Sequence, residues 1–166
     1  MNGFSVNAAP IDGSSAPPRP GSIRIAVFTA LRAEPGVSAV VGAKVYPFVL
    51  GQRRAPPALV YQLVDDVGRN TLSGPVGSAR ARFAVTAVST SVGDCEALAK
   101  AVKARFHGFV GDLAVPGRRP VRVREAFVRP SRDFVDAPVG ATGRPVYRTV
   151  TDVILRYRDP DFVPAT

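Results

Sequence analysis

The chain is poor in the side chains from which most catalytic and metal sites are built. Cys95 is its one cysteine and His107 its one histidine in 166 residues. An intrachain disulfide is therefore excluded, and so is a zinc site assembled from cysteines and histidines. No run of eighteen apolar residues occurs, which leaves no helical membrane span to place. Met1 to Gly21 lacks the basic start and continuous apolar stretch of a signal peptide, so the expectation is a soluble product of a cytoplasm. The glycine-rich stretches at 68–77 and 140–143 contain neither G-x-x-x-x-G-K-[ST] nor G-x-G-x-x-G between a strand and a helix. They read as turns, and no cofactor is expected.

What the chain has is length for one domain and an excess of positive charge. A domain of this size buries roughly 70% of its unfolded surface, enough for a core without disulfides or metal. Lysine plus arginine number 22 against 13 acidic residues, a net +9. Only Lys44, Lys100 and Lys103 are lysines, and arginine rich with alanine, glycine, proline and valine is also the signature of a GC-rich gene. The arginine preference carries little weight for that reason, but the net charge does: it points to polyanions or acidic proteins as partners.

Along the chain, residues 1–21 read as a flexible arm, because Pro10, Pro17, Pro18 and Pro20 forbid a regular helix or ladder. Ser22 caps a predicted helix over 23–33, with Ile23, Ala26, Val27, Ala30 and Leu31 at helical spacing. One further turn is expected over 37–41, then a short extended piece at Lys44–Pro47, a surface loop over 48–57, and a strand at 58–64 ended by Asp65-Asp66. Across a turn at 71–75, a strand over 77–89 alternates: Ala79, Ala81, Phe83, Val85 and Ala87 take one face, Arg80, Arg82, Ala84 and Thr86 the other. Ser91 and Asp94 resemble a capping box for a second helix, whose apolar stripe is Cys95, Leu98, Ala99, Val102 and Phe106 and whose C′ residue is Gly108. Residues 109–120 read as a connection and 121–129 as a strand. A proline- and glycine-rich loop over 130–145 leads to a last strand over 146–157. Helices that separate hairpins predict an α+β fold, a mainly antiparallel sheet with two helices packed on one face. The core is anchored by Phe83, Val85, Leu98, Val102 and Phe106. The domain spans 22–158, followed by a tail over 159–166.

Candidate sites are few. Cys95 falls in the middle of an apolar stripe, which suits a buried core thiol better than a nucleophile. His107 has Asp112 as its only nearby carboxylate, and Asp65-Asp66, Asp133/Asp136 and Asp159/Asp161 are pairs by spacing alone. The one unusual feature is basic: Arg118, Arg119, Arg122, Arg124, Arg129 and Arg132 stand against Glu125, a net +5 between 118 and 132. By strand parity Arg122 shares a face with Arg124, Arg80 with Arg82, and Arg148 with Arg156. If helices cover the face bearing Phe83, all six lie on the far side, where they could meet nucleic acid phosphates or carboxylates of neighbouring subunits. No aromatic stacking set accompanies them, which disfavours a dedicated single-strand or RNA reader.

Several ordered landmarks resemble the tail-completion, or tail-terminator, proteins of long-tailed phages and gene transfer agents. They are Leu31-Arg32-Ala33, Val37–Gly42, Lys44–Pro47, Pro57–Gln62, Thr71–Pro75, Glu96–Ala99 with Val102, and Tyr147 through Val153 to Tyr157. The resemblance covers about residues 22–158 and departs in the long arm, the 109–120 connection and the 130–145 loop. It implies an α/β fold whose subunits form a homo-oligomeric ring, commonly hexameric, at the head-proximal end of the tail tube. Such a ring stops tube polymerisation and docks the head-completion (neck) proteins, with DNA passing through its lumen. It implies a virion location after synthesis in a bacterial host, no catalytic residues, no metal, no cofactor and no membrane. The alternative reading is a basic nucleic-acid-binding module, and a third is a small hydrolase using a carboxylate pair.

Overall fold

The computed structural model describes residues 21–48, 50, 55–72, 74–136, 143–160 and 162. The expected arm over 1–21 apart from Gly21, parts of the 48–57 and 130–145 loops, and most of the C-terminal tail lie outside the described residues.

Helix α1 spans Ile23–Ala33, and Ser22 Oγ accepts from the Arg24 backbone N–H at 3.3 Å as its N-cap. Ile23, Ala26, Val27, Ala30 and Leu31 are its buried residues, the stripe that the spacing predicts. Proline at the first helical position then opens α2, Pro35–Val41, a fuller element than the single turn expected. Among the described residues the helical layer therefore holds three helices rather than two. Gly36 is what lets α2 lie close to the third: a Cβ there would stand 2.8 Å from the Ala101 Cβ.

Among the described residues the sheet has seven strands: β1 Val45–Pro47, β2 Ala58–Thr71, β3 Gly74–Ser89, β4 Gly111–Leu113, β5 Val121–Val128, β6 Arg132–Asp136 and β7 Val146–Arg158. Their order is β1-β2-β3-β7-β5-β4, with β6 also pairing β7. Every described pairing is antiparallel except β1 with β2, which is parallel. Strand β2 runs past Asp65-Asp66, where the sequence suggests an end. Bulges at 63–65 and 68–70 absorb the irregularity; Asp65 stands opposite Arg82 and pairs with Arg80, while Asp66, opposite Ala81, accepts from the Tyr157 hydroxyl. Strands β4 and β6 fall inside stretches read as connections. At three and five residues they are too short for alternation to announce them.

Helix α3, Val92–Phe106, packs across β3, β7 and β5. Its buried residues are Cys95, Leu98, Ala101, Val102 and Phe106, so Ala101 takes the place expected for Ala99. The capping box is corrected as well. Ser91 is the N-cap by position but makes no side-chain cap bond. Instead Ser89 Oγ donates to Asp94 Oδ2 at 2.8 Å and accepts from the Ser91 N–H at 3.1 Å. Gly108, with φ +74, follows the C-cap His107 as expected. All three helices close over the face of the sheet that carries Ala79, Ala81, Phe83, Val85 and Ala87, and this is where the core lies. Phe83, Val85, Leu98, Val102 and Phe106 are each at most 1% exposed. No helix covers the opposite face among the described residues.

Candidate functional site

The side chains with latent chemistry are occupied structurally. Cys95 is buried, its thiol donating to the carbonyls of Tyr147 (3.5 Å) and Ala87 (3.9 Å), and burial pushes its pKa up. A thiol held protonated in this way is a core residue rather than a nucleophile. His107 Nδ1 accepts from the Val128 N–H at 3.3 Å, fastening the end of α3 to β5, while Asp112 is engaged by Arg122 instead. Among the carboxylate pairs, Asp65 meets Arg80, Asp66 accepts from the Tyr157 hydroxyl at 2.9 Å, Asp133 accepts from Thr149 Oγ1 at 2.7 Å, and Asp136 pairs with Arg148. Asp161 lies outside the described residues. No cluster of three potential metal ligands occurs among the described residues.

The uncovered face of the sheet is the candidate interaction surface. Register places Arg80 opposite Arg156, Arg82 opposite Ile154, and Arg148 opposite Val88, so these four arginines share that face. Arg122 joins them, being the neighbour of Val123, which is buried and pairs with Tyr157 on the helix side. Arg124 does not follow by parity. A bulge between Val123 and Glu125 makes Arg124 the extra residue, and Glu125 takes the position facing Arg156. Arg124 and Glu125 are consecutive exposed residues for that reason.

These arginines do not form an open cationic field. Arg82 reaches Asp152 at 3.0 Å, Arg156 reaches Glu125 at 2.9 Å, Arg122 reaches Asp112 at 3.3 Å, and Arg80 lies 3.7 Å from Asp65. Arg148 pairs with Asp136. Arg132 on β6 adds a second contact to Asp152 at 3.3 Å. Of the six expected arginines, Arg124 alone has no ion-pair partner among the described residues. Between the pairs stand exposed Val64, Val67, Phe127 and Phe134. A shallow depression lined by Arg80, Glu125, Phe127, Ile154 and Arg156 sits at the centre. The surface thus carries arginines that are mostly ion-paired, in modest excess over their carboxylates, and is partly apolar. Sequence reasoning found the arginines but missed their carboxylates and the apolar residues among them, since each pairing across strands needs the register.

A family model described as "Tail completion protein gp17" matches residues 25–137, from α1 past the end of β6. No curated protein gives a significant match. Among solved structures, a chain from "Virion of native gene transfer agent (GTA) particle" superposes with a TM-score of 0.61 at 19% identity. The alignment covers 82% of this chain and 95% of that one. At that identity the likeness shows a shared fold.

Proposed function

The chain belongs to the tail completion protein gp17 family, and from that premise we propose that it forms a ring, six subunits round, at the head-proximal end of the tail tube. There it stops tube polymerisation and joins the tail to the head-completion proteins. Family membership makes the chain a structural component of the virion tail rather than a member of an enzyme class.

The observation that supports the finer reading is the extent of the family match, which takes in the helical layer from residue 25 onward and strands β1 to β6, leaving only β7 of the uncovered face beyond it. A closed ring needs heterologous contacts, each subunit offering one patch to one neighbour and a different patch to the next. A sheet with helices on one side and an open face on the other supplies unlike surfaces. The open face has the composition of a protein contact, with apolar side chains among charged groups that are mostly ion-paired. Arg80, Arg82, Arg122, Arg124, Arg148 and Arg156 are the arginines we assign to contacts with neighbouring subunits, the tail tube protein or the neck.

Size-exclusion chromatography with light scattering, followed by negative-stain microscopy, tests the ring: a hexamer mass and annular particles are expected. Particles assembled without the protein should carry tails of unregulated length that fail to join heads. A persistent monomer, together with normal tails in the absence of the protein, overturns the proposal.

A further inference from the structure

We propose that the margin of the sheet formed by β5, the C-terminal half of α3 and the 114–120 connection is a docking surface for the phosphate backbone of duplex DNA. The proposal deepens the ring reading and rests on it for the DNA's path through the assembly. Residues 100–129 hold eight of the chain's basic side chains and two acidic ones, a net +6 out of +9. On the uncovered face five of the six arginines are ion-paired; along this margin Arg122 is paired but most of the basic groups are not. Lys100, Lys103, Arg118, Arg119 and Arg129 are exposed, and none has an ion-pair partner among the described residues.

The fold gathers these residues from three elements. The end of α3 is tied to β5 by the Gly108 N–H to Ala126 carbonyl bond (2.9 Å) and by the His107 contact to Val128. Lys100, Lys103 and His107 line one shallow depression there. Arg118 and Arg119 lie in the turn that feeds β5, and Arg129 follows its last residue. An eight-residue strand is about 25 Å long at ~3.3 Å per residue, enough to run beside roughly seven phosphates of one DNA strand. A protein partner would want apolar anchors at the centre of its contact; the exposed large apolar side chains here are Val110 and Phe127, and Phe127 lies on the uncovered side of the sheet opposite Ile154. Unpaired guanidinium and ammonium groups suit sequence-independent phosphate contacts.

The test is binding of a fluorescent random-sequence duplex by the full chain, read by anisotropy over about 50–200 mM salt. Lys100→Ala with Lys103→Ala, and separately Arg118→Ala with Arg119→Ala, should each lower the slope of log affinity against log salt by about 2. Arg32→Ala with Lys44→Ala, at the end of α1 and just before β1, the strand at the opposite end of the sheet, should leave the slope unchanged. Wild-type affinity in both margin variants overturns the proposal, as does loss of binding in the Arg32/Lys44 pair alone. Stronger competition by polyglutamate than by unlabelled duplex overturns it in favour of an acidic protein partner. Light scattering on each variant separates the two readings. Rings whose DNA binding ignores the margin refute only this proposal, and a monomer whose binding depends on the margin refutes only the ring.

Discussion

Asp152 lies on the uncovered face of the sheet, yet its side chain is 7% exposed because Arg82 and Arg132 close over it. Asp152 Oδ1 and Arg82 Nε nonetheless lack partners inside the protein. Arg82 is the better buried of the two cations, at 29% exposure against 59% for Arg132. Removing it leaves a buried carboxylate served by one solvent-exposed partner, so Arg82→Ala should destabilise the fold by about 2 kcal/mol. The Arg122–Asp112 pair is more than half exposed on both sides, and Arg122→Ala should cost less than about 1 kcal/mol. Urea unfolding of the two variants checks the ordering, and equal losses would mean that burial does not set the strength of these pairs.

Among the elements, α1 and β3 are legible in the sequence because a single period governs each throughout. Helix α3 is legible in its stripe, and Leu98 at its centre is fully buried. Leu98→Asp places an unpaired charge there, with a penalty of several kcal/mol that a domain of this size cannot absorb. The expected outcome is insoluble or non-cooperatively melting protein by circular dichroism. The start of α3 was legible in composition but not in pairing, since Ser89, outside the helix, reaches Asp94 in place of Ser91. Strand β5 shows the limit of parity. One inserted residue at Arg124 resets the alternation, and nothing in Val121–Val128 marks the bulge before its partner strand is known.

For the whole molecule the governing contrast is between a mostly ion-paired face and a mostly unpaired margin. Arg122→Glu with Arg124→Glu changes one exposed ion pair and one unpaired cation, neither of them in the core. Folding stability should fall by no more than about 1 kcal/mol, while ring assembly and tail joining should be lost. The thermal midpoint and the light-scattering mass of the same sample decide between these effects. Full assembly with the protein incorporated removes both residues from the interface. The candidate surface was legible as a set of arginines, and its electrostatic character was not. From the sequence the six look like a field of positive charge, whereas five of them are salt-bridged.

The sequence by itself determined which side chains go inward. Burial follows a local period, 3.6 along α1 and α3 and 2 along β3, and the residues that share a face are near neighbours in the chain. The tertiary structure alone decided which charges cancel. Arg82 and Asp152 are 70 residues apart and Arg156 and Glu125 are 31 apart. Such pairs form only once β3, β7 and β5 are set in register. A shift of one residue would turn the partner's side chains to the other face and leave the arginines open to solvent.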